Sequence, residues 1–199
     1  MEKRSINFEL RAKKDSRTIF GTATVFNSSY DMGWYDEEMS ADSLNEADMK
    51  DVVALFNHDM NMVLARTSSG TLKLNVTGDA MEYEFEAPNT TLGNDLLEMV
   101  KRGDVFQSSF AFTVETEDWQ ERQGMKPKRV IRSIKKVYDV SPVTYPANPD
   151  TMVAKRSYDA TKQIDEDLQK VIEISVKSEI NIQNELRRNA LHLLNLKTK

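Results

Sequence analysis

The chain has 199 residues, no cysteine, and only two histidines, His58 and His192. Without cysteine there is no disulfide framework, no thiolate nucleophile and no Cys-ligated zinc. Two histidines are too few for a multi-histidine metal centre, so no metal or cofactor is expected. Long apolar runs are missing as well. No stretch reaches the roughly 18 residues of a membrane span. Met1-Glu2-Lys3-Arg4-Ser5 is charged but has no apolar region behind it, so it does not read as a secretory signal. A basic excess is also absent: 27 Lys and Arg stand against 32 Asp and Glu, a net charge of −5. That balance lacks the electrostatic footprint of a nucleic-acid binder. The local cluster Lys126, Lys128, Arg129 and Arg132 reads as a solvated face. No internal repeat is visible, which disfavours solenoids and propellers.

What is present is mostly strand pattern. Ile6, Phe8 and Leu10 alternate with polar residues, the period of a half-buried strand. Thr18 to Phe26 is β-branched and aromatic, with Gly21 marking a bulge or bend. Val52 to Phe56 is a short apolar run. Thr71–Val76 and Met81–Phe85 flank Thr77-Gly78-Asp79 as a hairpin. Phe106–Val114 and Val130–Val143 are further strands, with a turn at Gln123-Gly124 and breaks at Pro142, Pro146 and Pro149. A helix is predicted after Thr90 or Thr91. Leu92, Leu96, Leu97 and Val100 recur at helical spacing, and Gly103 ends it. A thinner helix candidate spans Ser40 to Asp51. From Ser157 to Lys199 there is no Gly, Pro, Trp or Phe, and Ile164, Leu168, Ile172, Val176 and Ile180 recur every four residues. The stripe resumes at Leu186, Ala190 and Leu193. This is an amphipathic helix whose apolar face needs a partner, although Ile172, Ile174 and Val176 also alternate as in a strand. The expected division is a domain over 1–156 and a polar helical tail over 157–199.

Serine-type acyl transfer needs a nucleophilic hydroxyl, a base and a group that orients the base. His58 is the only histidine in the strand-rich region, in Phe56-Asn57-His58-Asp59 at a strand end. By itself it reads as a surface-loop residue. Ser109 lies mid-strand, opposite in facing to Phe110, Phe112 and Val114, either toward a groove or simply outward. Ser108 would point the other way. Asp139 is embedded in Val137-Tyr138-Asp139-Val140, where a buried carboxylate needs an imidazole, an Arg or a turn amide.

In order along the chain stand Tyr35-Asp36-Glu37-Glu38, Ala54-Leu55-Phe56-Asn57-His58-Asp59 and Val63-Leu64-Ala65-Arg66-Thr67. They are followed by Ser69-Gly70-Thr71-Leu72, a helix Asp95–Arg102 leading to Gly103-Asp104-Val105, and Ser109-Phe110-Ala111-Phe112. The series ends at Asp139-Val140-Ser141-Pro142-Val143-Thr144-Tyr145-Pro146-Ala147. This ordered set resembles the tailed-phage prohead (head maturation) serine proteases, a family distantly related in fold to herpesvirus assemblin. Gln107-Ser108 stand where relatives often have Gly-Met, leaving a second hydroxyl beside the nucleophile.

The resemblance implies an α+β, β-rich fold: a small closed, mostly antiparallel β-barrel with peripheral helices, assemblin-like, plus the helical tail. It implies a serine endopeptidase with His58 as base, Ser109 as nucleophile and, by strand order, Asp139 as third member. Its substrates would be capsid and scaffolding segments, and the enzyme itself by autocleavage, within the assembling procapsid in the host cytoplasm. The tail would serve targeting or self-association. The competing reading is a catalytically silent scaffold or assembly factor that binds through its C-terminal helix.

Overall fold

The computed structural model describes residues 1–6, 10–145 and 151–197. The chain divides into two units, Met1–Asp150 and Thr151–Lys199.

The first unit is built on two sheets. Its spine is a long antiparallel pair, β10 (Gln107–Gln120) and β11 (Lys128–Val143), turned at Gly124 with φ 70°. β1 (Glu2–Ile6) pairs antiparallel with the free edge of β10. The other edge of β11 takes two parallel partners in turn. β5 (Asp36–Met39) lies along Lys128–Ile131, and β6 (Val53–Phe56) along Asp139–Val140. β4 (Ser29–Asp31) extends β5, and β7 (Asp59–Arg66) extends β6. The second sheet has the order β2-β3-β9-β8, formed by Leu10–Ala12, Thr18–Val25, Ala80–Glu86 and Leu72–Val76.

The period-2 pattern explains why these strands pack. In β9, Met81, Tyr83 and Phe85 are buried and Glu82, Glu84 and Glu86 are exposed. They share one core with Phe110, Phe112, Ile134, Val137 and Val140 of the spine. β8 and β9 form the expected hairpin, closed by Thr77 N–H to the Ala80 carbonyl at 2.9 Å. Gly21 has a packing reason. A Cβ there would lie 2.7 Å from the Tyr83 hydroxyl, closer than real Cβ contacts allow. The bulge expected near it falls between Thr22 and Thr24. Helix α1 (Thr91–Arg102) is capped by Thr90, whose side chain accepts from Gly93 N–H, and ends at Gly103 with φ 81°. It buries Leu96, Leu97 and Val100.

Three expectations need correction. Among the described residues neither sheet closes into a barrel. The outer edge of β11 is shared by two short parallel strands, so the sheet branches instead of returning to β1. Ser40–Asp51 is not a helix but successive turns, with Ser43, Asn45 and Ala47 N–H each bonded to the carbonyl three residues back. Only Leu44 of its large side chains is fully buried, so there is no apolar face to hold a helix. The strand expected over Ile6, Phe8 and Leu10 is instead two strands in different sheets, with Phe8 outside the described residues. Pro146 and Pro149 also lie outside them.

The basic cluster splits as well. Lys126 and Arg132 are exposed, but Arg129 is 1% exposed at the centre of a charge network. Its guanidinium meets Glu2 at 2.7 and 2.9 Å, Glu37 at 2.9 Å and Glu117 at 2.9 Å. Arg4, also buried, pairs with Glu37 at 2.7 Å and Glu2 at 2.5 Å. The network ties β1 to β5, β10 and β11.

Burial disfavours the charged Glu2 carboxyl. The Arg129 hydrogen bond and the Arg4 and Arg129 charges outweigh it and hold the carboxyl below its ordinary 4.5. A carboxyl depressed in the fold stabilises it above the unfolded value and loses that stabilisation as pH falls through the folded value. Thermal unfolding is therefore expected to show Tm falling once pH drops below 4.5. Glu2→Gln should flatten that fall, and an identical pH profile for the two proteins would exclude Glu2 as its source.

The second unit is one helix, α2 (Thr151–Lys197), starting ahead of the composition change at 157. The helical alternative is the one observed. Ile164, Leu168, Ile172, Val176 and Ile180 are all exposed. The side chains of Leu186, Ala190 and Leu193 lie outside the described residues. No described helix is long and apolar enough to cross a membrane.

Candidate active site

β6 and β7 are joined by the two residues Asn57 and His58, with φ of 56° and 57°. Two successive left-handed residues make the type I′ turn that suits a twisted hairpin. Asn is at home there, but His in that region is uncommon. The end of β11 holds the turn in place. Asn57 N–H donates to the Pro142 carbonyl at 3.0 Å, and its side-chain carbonyl accepts from Thr144 N–H at 2.9 Å. Its amide nitrogen also donates to Thr144 Oγ1 at 3.3 Å. The turn is thereby stapled over the strand that carries Asp139.

Ser109 and Ser141 face each other across the β10–β11 ladder, and Ala111 faces Asp139. Residues two apart on a strand share a face, so Ser109, Asp139 and Ser141 all point to the side where the turn sits. His58 lies across both strands. Its Nε2 is 2.6 Å from Ser109 Oγ, and its Nδ1 is 2.6 Å from Asp139 Oδ1. The structure thus brings together all three residues singled out from the sequence. The His58 and Asp139 side chains are 5% and 7% exposed, and Ser109 has no exposed surface.

Ser109 Oγ has a second acceptor within reach, the Arg4 carbonyl of β1 at 2.8 Å. One hydroxyl proton thus faces two acceptors, imidazole nitrogen and backbone oxygen. Ser108 points away, into the core, and bonds the Tyr83 hydroxyl at 2.9 Å. Burial pushes the Tyr83 phenol well above its ordinary range, so it stays neutral beside Ser108. A cleft of about 500 Å³ runs beside His58 and Asp139, with Leu55, Met60, Val63 and Tyr138 on its apolar walls. Larger clefts of about 610 and 560 Å³ lie along the second sheet and touch none of the three residues. Among the described residues no group of three or more His, Asp or Glu is placed to hold a metal ion.

Residues 6–164 match the model of the caudovirus prohead serine protease family. The chain belongs to that family. This prohead protease is a serine endopeptidase of phage head maturation. No curated protein matches the chain. No solved structure matches it. Sequence reasoning passed over Ser141 in this protease, although its place two residues after Asp139 on one strand puts it on the same face. It also passed over Asn57, whose signal was its preference for left-handed turns.

Proposed function

We propose that Ser109 is the nucleophile of this protease, His58 its general base and Asp139 the residue that orients the base. The observation that carries this is the unbroken relay Asp139–His58–Ser109, with both contacts at 2.6 Å. With Nδ1–H committed to the carboxylate, Nε2 presents its lone pair to the serine hydroxyl. Ser109 Oγ then attacks a peptide carbonyl while Nε2 takes the proton and later delivers it to the leaving amine. Asp139 stabilises the imidazolium that forms between those steps.

The substrates are scaffold and capsid segments, and the enzyme itself, cut inside the procapsid. Family membership supports this, and so does a tail helix with an exposed apolar face suited to self-association or targeting. The domain is taken as 1–156 and the tail as 157–199. The burial of Ser109 and its contact with the Arg4 carbonyl support an enzyme that is closed in the free chain and opens when substrate or the assembling shell engages it.

The test is covalent labelling by a fluorophosphonate, with the protein alone and co-expressed with its shell and scaffold proteins. Labelling is expected at Ser109, dependent on His58, and stronger in the assembled sample. Absence of labelling in both samples, with the protein folded, would sink the catalytic reading and leave the scaffold one.

A further inference from the structure

Ser141 has no exposed surface, and no part of the relay described so far employs it. Its hydroxyl donates to Asp139 Oδ1 at 2.7 Å, the same oxygen that accepts from His58 Nδ1. Its oxygen also lies 3.3 Å from His58 Nδ1. Three polar atoms on two elements therefore close a triangle behind the imidazole.

From this triangle we infer that Ser141 is a positioning residue of the protease: it fixes the Asp139 carboxylate and the tautomer and orientation of His58. The inference rests on the assignment of His58, Ser109 and Asp139 proposed above. A hydroxyl has one proton to give. The 2.7 Å contact assigns that proton to Asp139, so Ser141 can only accept from Nδ1. An accepting oxygen at 3.3 Å and an accepting carboxylate at 2.6 Å both require the proton on Nδ1. Nε2 is then bare and faces Ser109, as a base must.

Two donors converging on Oδ1 also set its position from two directions. Without the hydroxyl, the carboxylate retains one contact with the ring and is free to swing about its side-chain bonds. The ladder makes the support rigid, because Ser141 is the cross-strand partner of Ser109. The imidazole spans that pair, one nitrogen toward each strand. A shift of Ser141 is thus a shift of the base relative to the nucleophile. Serine also suits the task through its single short rotor, which loses little freedom on ordering.

The primary test is the low-field proton resonance of the His58–Asp139 hydrogen bond in full-length protein, which needs no substrate. In the wild type the resonance is expected, and in Asp139→Asn it should vanish. In Ser141→Ala it should move or broaden while Tm stays near the wild-type value. Ser141→Thr, which keeps the hydroxyl, should restore it. In turnover or fluorophosphonate labelling, Ser141→Ala should lower kcat by about 10- to 100-fold, the worth of one charge-assisted hydrogen bond, with KM within about threefold. If Ser141→Ala fails to fold, Ser141→Cys, which keeps a side chain of similar shape but donates weakly, takes its place.

An unmoved resonance with kcat within about twofold of wild type would overturn the role of Ser141. A loss that only follows Tm would do the same, reducing Ser141 to a structural partner of Asp139. Ser109→Ala is run alongside to separate the two readings. If that variant still labels, the triad assignment itself fails, and the Ser141 proposal falls with it. If Ser109→Ala is silent while Ser141→Ala behaves as wild type, only the Ser141 proposal fails.

Discussion

Ser109→Ala is expected to abolish self-processing and labelling, lowering kcat by about 10⁴- to 10⁶-fold. The variant removes one oxygen from a residue with no exposed surface, so the fold should not notice it beyond the lost contacts to His58 and the Arg4 carbonyl. Asp139→Asn is expected to cost about 10⁴-fold, because an amide favours the wrong imidazole tautomer. Ser108→Ala should leave kcat within about threefold, since its hydroxyl bonds Tyr83 on the far face of the strand. Intact mass followed over time, with the protein concentrated, reads all of these at once. Wild type and Ser108→Ala shortening while Ser109→Ala stays whole supports the assignment. Equal shortening of Ser109→Ala and wild type would show that another group, or a contaminating protease, makes the cut.

Arg129→Ala is expected to be the most damaging substitution for stability, costing about 3 to 5 kcal/mol. Arg129 is 1% exposed and meets Glu2, Glu37 and Glu117. Its removal leaves Arg4 as the guanidinium that meets Glu2 and Glu37, and Glu117 keeps the neutral Trp119 Nε1–H at 3.1 Å. A buried pair adds little over an apolar substitute of the same shape, yet breaking one partner strands a charge in a poor dielectric. For a chain of this size the loss corresponds to a Tm lower by roughly 6 to 20 °C. Arg129→Lys should recover only part of it, because an ammonium cannot reproduce a fork that serves three carboxylates. Differential scanning calorimetry decides. A drop of under about 1 kcal/mol would mean that the network is solvated and not the anchor of β1.

The parts of the fold that were legible in the sequence are those governed by local rules. The β8–β9 hairpin follows from alternation about a turn. Helix α1 follows from a leucine stripe between Thr90 and Gly103. The candidate site is legible through ordered motifs, whose family resemblance points to His58, Ser109 and Asp139. What was hidden is long-range. Glu2, Arg4, Glu37, Glu117 and Arg129 all lie outside the strands read from alternation, and only pairing between distant strands puts them in one place. Arg129 in particular stands in a basic run with Lys126, Lys128 and Arg132 and carries no local mark of burial. The closed barrel was implied by the family resemblance, and among the described residues neither sheet closes; strand pattern tells which residues face inward, not which edges meet. The turns at Ser40–Asp51 show the reverse error, caps without a face to bury.

The separations within the site have a consequence for how the enzyme comes into being. His58 lies 51 residues from Ser109 and 81 from Asp139, and Arg4 lies 105 from Ser109. None of these contacts can be made within a single hairpin or a surviving fragment. They form only when widely spaced stretches of chain have been brought together, which is slow and cooperative. Competence to react with a fluorophosphonate therefore appears and disappears with the first unit as a whole. Measured across a denaturant series, it should trace the same curve as the loss of structure, so a half-folded chain poses no proteolytic hazard to its neighbours.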